Sequence, residues 1–466
     1  MKRNTIYKLI FVPVMLFSLQ SCFVARDYQR PEVVNEAYFR TDLLPEDSIT
    51  MAEVSWKELF TDPVLRGHIE KGLENNLDIR IALQQIEAAN AYYKQGKASF
   101  LPTIGATGQA SHQELSGNGQ MGALYDGGIS QFELSANASW EADIWGKIRS
   151  YKRASEAAYL QTVAAHKAVK TQLIASIATV YYQLVALDEQ IKITEQSIAN
   201  RESSLETTKA LKEAGYLTEV GVKQTEAQLY DAQGILLDLK TNTKLLENTM
   251  AILLGEAPQT IARNSLEEQV IDQEIKIGFP IQLLRNRPDV IAAEYGLVNA
   301  FEMTNVAKSD FYPSLRISAT GGFQSLEIDQ LLNANSLFAS LVGSLTQPIL
   351  NGRRIRTQYE VAQAQQEQAL LTFRKAILNA SREVSDALYT YEAAEKRIDI
   401  KTLQYQAYDT ATIYSEELLN NGMVNYLEVL TARQNALYAQ LDLINAHFTQ
   451  LSAIVELYKA LGGGWQ

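Results

Sequence analysis

From Lys147 to Ala214 the chain runs for 68 residues without a glycine or a proline, and Gly215 ends the run. Ala, Leu, Gln, Glu and Lys dominate it, all good helix formers. Within it Ile177, Leu184, Ile191, Ile198 and Leu205 fall seven residues apart, the apolar spacing of a left-handed coiled coil. At about 1.5 Å per residue such a helix would be roughly 100 Å long. A compact globule of the whole chain would have a radius of gyration of only about 22 Å. No ordinary core can hold this helix, and the protein is expected to be elongated.

The N-terminus sets the compartment. Lys2, Arg3 and Lys8 precede an apolar run from Leu9 to Leu19, followed by Gln20-Ser21-Cys22. A basic start and a short apolar run form a secretory signal, too short for a permanent membrane span. Leu19-Gln20-Ser21-Cys22 looks like a bacterial lipobox, in which residues 1–21 are removed and Cys22 carries the lipid. The bland alternative is an incidental Cys beside an ordinary cleavage site. Cys22 is the one cysteine of the chain, so no intramolecular disulfide can form. Acyl chains bind the membrane surface with about 0.8 kcal/mol per buried methylene. No later apolar run reaches the roughly 20 residues of a transmembrane helix, so any spanning must be done by strands. The net charge of −12 argues against nucleic acid as a partner.

Residues 22–60, with Pro31 and Pro45, read as an N-terminal arm. A helical segment is expected from Leu65 to Ser99, with Leu77, Ile81 and Ile86 on its buried face. Phe100-Leu101-Pro102 breaks it. Residues 103–112 alternate small or apolar with polar, and residues 131–143 do so more regularly: Phe132, Leu134, Ala136, Ala138, Trp140 and Ala142 against Glu133, Ser135, Asn137, Ser139, Glu141 and Asp143. Period two over this length is a strand signal, although a half-buried strand in a soluble sheet alternates too. After the long helix 147–214, a turn at Gly215-Tyr216-Leu217-Thr218 leads to a second helix, Glu219 to Leu254. An irregular connector follows at 258–280.

The pattern then repeats. Phe100-Leu101-Pro102 returns as Phe311-Tyr312-Pro313, 211 residues on; Gly146 returns as Gly352, shifted by 206; Gly215 as Gly422 and Leu254-Gly255 as Leu461-Gly462, both shifted by 207. Residues 353–421 again lack both Gly and Pro, and strands are expected at 314–323 and 338–347. The final helix carries Leu430, Leu437, Ile444, Leu451 and Tyr458 every seven residues. The first repeat thus covers 61–257 and the second 281–466, each helix, strand, strand, long helix, helix. The fold class is mainly α with a membrane β portion. Four strands per chain cannot close a barrel, since bacterial barrels begin at eight, and an open edge is not viable in lipid. Several copies must share one barrel; two would give eight strands and three twelve.

With these features the chain resembles the TolC-like outer membrane factor family, in the lipoprotein branch that serves RND-type tripartite efflux systems. The residues that carry the resemblance are Cys22 with Asp27-Tyr28-Gln29-Arg30-Pro31; Trp56 with Phe60-Thr61-Asp62-Pro63; Phe100-Leu101-Pro102; Ser139 to Gly146; Arg287-Pro288-Asp289-Val290 with Ala293-Glu294; Phe311-Tyr312-Pro313; Gln347 to Arg353; and Leu461-Gly462-Gly463-Gly464-Trp465. They span essentially the whole mature chain. Many relatives have a second arginine where this chain has Asn286. The resemblance implies a homotrimer with one 12-stranded barrel in the cell outer membrane, continued by a helical tunnel in the periplasm. It also implies a periplasmic adaptor and an inner-membrane RND-type transporter as partners.

The two turns at Gly215 and Gly422 are the points farthest along the chain from the strands. The resemblance makes Gly215, Leu217, Thr218, Gly422 and Val424 candidates for adaptor docking; glycines that merely cap helices are the alternative. Relatives place an inward carboxylate near the closed aperture where this chain has Glu428, and three copies would form a cation-favouring ring. At a later position, where relatives often have Asp, this chain has Thr431. Phe100, Trp140, Trp145, Phe311 and Tyr312 flank the strands on the helix side and suit an interfacial aromatic girdle. Glu133, Asn137 and Glu141 should face a water-filled lumen. The four histidines are scattered without metal spacing, and no nucleophile motif or phosphate loop is present. No enzyme, metal site or cofactor is expected beyond the lipid on Cys22. The function expected is a passive outer-membrane conduit for small molecules. A duct for type I protein secretion and a pore-less periplasmic coiled-coil scaffold are the alternatives.

Overall fold

The computed structural model describes residues 24–31, 54–116, 118, 128–269, 271 and 286–465. The signal segment, Cys22, most of the arm and residues 272–285, which include part of the expected connector, lie outside them. In chain order the elements are α1 (Trp56–Leu59), α2 (Pro63–Asn75), α3 (Leu77–Ala98), β1 (Thr103–Gln113), β2 (Ile129–Ala142), α4 (Lys147–Glu213), α5 (Glu219–Leu253), α6 (Pro288–Ser309), β3 (Ser314–Ser325), β4 (Leu337–Thr346), α7 (Arg354–Asn420) and α8 (Tyr426–Ala460). The repeat is metrical. Both α4 and α7 have 67 residues, and both α5 and α8 have 35. Gly146 and Gly352 precede the long helices with φ of 77° and 62°, but in the second repeat Arg353 follows at φ 66°. Arg353 is the extra residue behind the glycine spacing of 206. A left-handed non-glycine residue costs about 1–3 kcal/mol, and the Arg353 guanidinium bonds Glu360 at 3.0 Å.

The chain divides into two compact units. The first comprises 1–32, 86–162 and 293–373, and the second 33–85, 163–292 and 374–466. The first holds a four-stranded antiparallel meander, β1-β2-β3-β4. The second is helical, with a core of Leu59, Phe60, Leu65, Ile69, Ile174, Ile177, Tyr181, Leu184, Met250 and Leu457. Burying such side chains stabilises by about 1.5–3 kcal/mol each. In the heptad row of α4, Ile177, Leu184 and Leu205 are buried and Ile191 and Ile198 half-buried; all five row positions of α8 are buried.

The expected single helix from Leu65 to Ser99 is two. Asn76 leaves the helical region (φ −57°, ψ 132°) and starts α3 afresh, its Oδ1 accepting from the backbone N–H groups of Asp78 and Ile79. The restart turns the helix, so Leu77 and Ile81 are exposed, while Ile79 and Ala82 are buried and Ile86 is half-buried.

In the second unit, Asp62 caps α2 and gathers the connector. Its carboxylate accepts from Tyr181 Oη–H at 2.5 Å, Gln269 Nε2 at 2.8 Å, Asn264 Nδ2 at 3.0 Å and the Val64 amide at 2.8 Å. Burial pulls its pKa upward, but the hydrogen bonds from Tyr181, Gln269 and the Val64 and Leu65 amides outweigh it and hold the group below the ordinary carboxylate value. A depressed folded-state pKa contributes stability above the unfolded value, lost as pH falls through the folded one. Asp62→Asn should therefore lower the melting temperature at pH 7, by an amount matching about 1–3 kcal/mol. The gap to the parent should close in acid, below about pH 4. A gap of equal size at both pH values would show that the charge is not its source.

Candidate functional site

The sheet of the first unit has two chemically distinct faces. Its register places Ile104, Ala138, Ala319 and Leu341 in one row, and Ala106, Ala136, Gly321 and Ala339 in the next. That face continues with Phe132, Leu134, Trp140, Ala142, Leu315, Ile317, Phe323, Leu337 and Leu345; His112, Ser130 and Ser325 lie at its loop end, and it carries no Asp, Glu, Lys or Arg. The opposite face carries Thr103, Thr107, Gln109, Glu133, Ser135, Asn137, Ser139, Glu141, Arg316, Ser318, Thr320 and Ser340, interrupted by Ile129, Val342 and Phe338. The groups on it bond one another: Asn137 donates to Thr107 Oγ1 at 3.1 Å, Ser135 to Glu133 at 2.6 Å and Arg316 to Glu141 at 3.3 Å. Glu133, Asn137 and Glu141 therefore share the polar face. An apolar face opposite a polar one is the pattern of a strand between lipid and water. Both β1 and β4 end the meander with an unpaired edge.

At the helix end of the strands, the aromatic side chains also fasten the bends. Trp140 Nε1 donates to the Phe100 carbonyl at 2.9 Å and Trp145 Nε1 to the Pro313 carbonyl at 2.7 Å. The Trp145 ring lies 4.9 Å from Tyr312, and Phe311 meets Tyr359 edge-on. Leu101, Ile349 and Leu350, named above only as parts of motifs, are 67%, 94% and 96% exposed at the same end. Their position next to Pro102 and Pro348 was the available signal.

The arm segment 24–31 is held along α6. The Asn305 side chain accepts from the Arg26 amide at 3.2 Å and donates to the Arg26 carbonyl at 2.9 Å, pairing as a neighbouring strand would. Buried Glu302 accepts from Arg153 Nε and Nη2, at 2.7 and 3.0 Å, and from Asn305. Arg30 pairs with Glu294 at 2.8 Å. Asn305→Ala should free the arm and speed tryptic cleavage at Arg26 several-fold in the folded protein; an unchanged cleavage rate would remove Asn305 from this role.

In the second unit each hairpin turn is closed by the same bonds. The Gly215 amide reaches the Lys212 carbonyl and the Tyr216 amide that of Leu211; Gly422 and Met423 bond Leu419 and Leu418 likewise. This is a Schellman ending, with Gly215 (φ 80°) and Gly422 (φ 70°) left-handed and open space where a Cβ would stand. Thr218 and Asn425 occupy the N-caps of α5 and α8. Leu217 and Val424 turn partly inward. Leu217 packs with Val222 and Leu205, and Val424 lies at the equivalent place ahead of buried Val429. A hydrophobic residue before the N-cap, paired with one at the fourth helical position, is a hydrophobic staple, and the sequence carried that signal twice. The apolar side chains that project are Tyr216, 83% exposed, and Met423, 72% exposed. Glu428 and Thr431 are exposed on the first turns of α8.

A polar lacing behind the turns was not anticipated. Arg201 of α4, 4% exposed, donates to the Gln228 carbonyl at 3.0 Å, its Oε1 at 3.1 Å and Gln434 Oε1 at 2.7 Å. Gln434 and Tyr438 of α8 donate to Asp231 of α5 at 3.0 and 3.1 Å. Arg433 holds Glu416 of α7 at 2.7 Å and also donates to Ser204 of α4. Two hairpins are thus joined by hydrogen bonds through a polar cavity of about 630 Å³. Arg201 lies three residues after Ile198, on the same helix face as the heptad row, where a charged residue marks a buried polar contact. Arg201→Ala strands Gln228 and Gln434 and should cost about 1–3 kcal/mol, read as faster amide hydrogen exchange in residues 196–207 and 426–436. No change there would show that the lacing is not holding the hairpins.

Among the described residues, no helix is long and apolar enough to cross a membrane, and no group of three or more His, Cys, Asp or Glu could hold a metal ion. A sheet with one lipid-suited face, joined to paired long helices, defines a membrane-inserted strand protein with helical hairpins. Residues 68–256 and 280–463 match the outer membrane efflux protein family, and the chain belongs to it. It is 29% identical over 457 residues to the solvent efflux pump outer membrane protein SrpC of Pseudomonas putida, covering 97% of each chain. It is 26% identical to the cation efflux system protein CusC of Escherichia coli O6:H1, covering 96% of this chain and 97% of that one. Among solved structures, the outer-membrane channel OprN superposes with TM-score 0.86 at 25% identity, over 95% of this chain and 99% of that one. The open state of the Neisseria gonorrhoeae MtrE outer membrane channel gives 0.84 at 26%, over 96% and 99%. The protein is an efflux channel component of the outer membrane.

Proposed function

We propose that three copies of this chain share one 12-stranded barrel and form the passive outer-membrane duct of a three-component efflux pump. The observation that carries this is the sheet, with one face free of Asp, Glu, Lys and Arg, one polar face and two unpaired edges. Lipid offers no hydrogen bonds to those edges, and each unpaired backbone group would cost several kcal/mol there. Pairing β4 of one copy with β1 of the next removes the cost. Its cargo class follows its relatives, which are named for solvents, antibiotics and cations. Cys22 carries the acyl anchor in this reading, and the clamped arm segment holds the chain that follows it. The hairpin turns dock a periplasmic adaptor coupled to an RND-type transporter, through Tyr216 and Met423 beside Gly215, Leu217, Thr218, Gly422 and Val424. Glu428, with Thr431 a turn away, lines the aperture, and the lacing around Arg201 holds it closed.

Purified full-length protein in a planar bilayer should give small cation-favouring currents. Gln434→Ala should raise the conductance several-fold by loosening the hairpins, and Glu428→Gln should move the reversal potential toward zero in a salt gradient. A protein that never conducts, with or without the Gln434 change, would end the duct reading.

A further inference from the structure

We propose that Leu101 of one copy and Ile349-Leu350 of the next form an apolar clasp that closes the seam between their sheets at the helix end of the barrel. The inference rests on the shared-barrel reading and adds to it a specific contact between copies. Its first support is topological. In a four-strand meander β1 and β4 run in opposite directions, so β4 of one copy meets β1 of the next antiparallel. The residues before β1 and those after β4 then lie at the same end of that seam.

The second support is the stagger of the sheet. The register carries Thr103, the first residue of β1, to Ser139, then Ser318, then Val342. By that row β4 is not finished; it runs four residues further, to Thr346, and the chain continues through Gln347 and Pro348 to Ile349 and Leu350. The start of β1 and the end of β4 are thus offset along the strand axis. A closed barrel needs tilted strands and a fixed stagger between neighbours. Identical copies must also bring each β1 back to the same height. The offset accumulated from β1 to β4 therefore places the next Thr103 beyond Val342, toward the end of β4, and Leu101-Pro102 beside residues 347–350.

The third support is chemical. Leu101, Ile349 and Leu350 are 67%, 94% and 96% exposed in the single chain. Proline follows Leu101 and precedes Ile349, which stiffens both segments before they meet. Gly352 and Arg353, both left-handed, turn the chain into α7 directly after the clasp residues. The occupant is a second copy of this chain. Membrane lipid is the competing occupant.

The test uses paired cysteines in intact outer membranes, treated with a short flexible bis-maleimide. Leu101→Cys with Leu350→Cys in one chain should give covalent dimers and trimers on a denaturing gel, at least five-fold above either single variant. Ala106→Cys with Leu345→Cys, which share the apolar face of the two edges, reads edge pairing alone. Crosslinking by both pairs supports the clasp. Crosslinking by the edge pair alone overturns the clasp and leaves the shared barrel standing; failure of both overturns the shared barrel as well. A bimane on Leu350→Cys adds a second reading. Quenching by nitroxide-labelled lipid equal to that of the same label at Leu341→Cys would give these residues to lipid and overturn the clasp.

Discussion

Everything in the first unit answers to one requirement: a backbone N–H or C=O in hydrocarbon must have a partner. The meander satisfies its two inner strands and leaves one row of groups on β1 and another on β4. In water such edges invite uncontrolled pairing, and proteins blunt them with charge or bulges. Here the outer strands carry neither. Edge residues such as Ile104, Leu341 and Leu345 are apolar, and β4 has no charged residue at all. Edges left this regular are built to be paired.

The polar face shows how the same sheet can be wet on its other side. Its Glu133 and Glu141 are each bonded within the sheet, to Ser135 and Arg316, so the charges are fixed without crowding the neighbouring strands. Gly322 explains one local feature of that packing. A Cβ at this position would stand 2.2 Å from the Leu134 carbonyl oxygen, so the close approach of β2 and β3 there depends on glycine.

Much of this was legible in the sequence because strands and heptads are periodic. The alternation at residues 132–142 and the absence of Gly and Pro from 147–214 gave the elements, and the 207-residue recurrence gave their duplication. What escaped were features decided by contacts distant in the chain or by one residue's local geometry. Leu77 and Ile81 have helical spacing, but the cap at Asn76 rotated their helix away from the core. Leu217 and Val424 look like loop apolars but stand at staple positions, Leu217 packed beside Val222, which leaves Tyr216 and Met423 the more exposed. The lacing was legible only at Arg201, a charge three residues after Ile198 of the heptad row; its partners were not, since Arg201 and Gln434 are 233 residues apart. The arm was recognised by its residues, yet its attachment through Asn305, a residue with no distinguishing neighbour pattern, was not.

The two unpaired edges also bear on how such a protein can be damaged. If every seam joins different copies, the membrane portion has no stable form as a single chain, and its stability depends on how many chains are present. A copy with one spoiled edge still offers a sound edge on its other side. It can enter an assembly and leave a gap that its healthy neighbours cannot mend. Mutations on β1 or β4 would then act dominantly in a cell that also makes the normal chain, whereas loss of a core residue in the helical unit, by preventing folding, would be recessive.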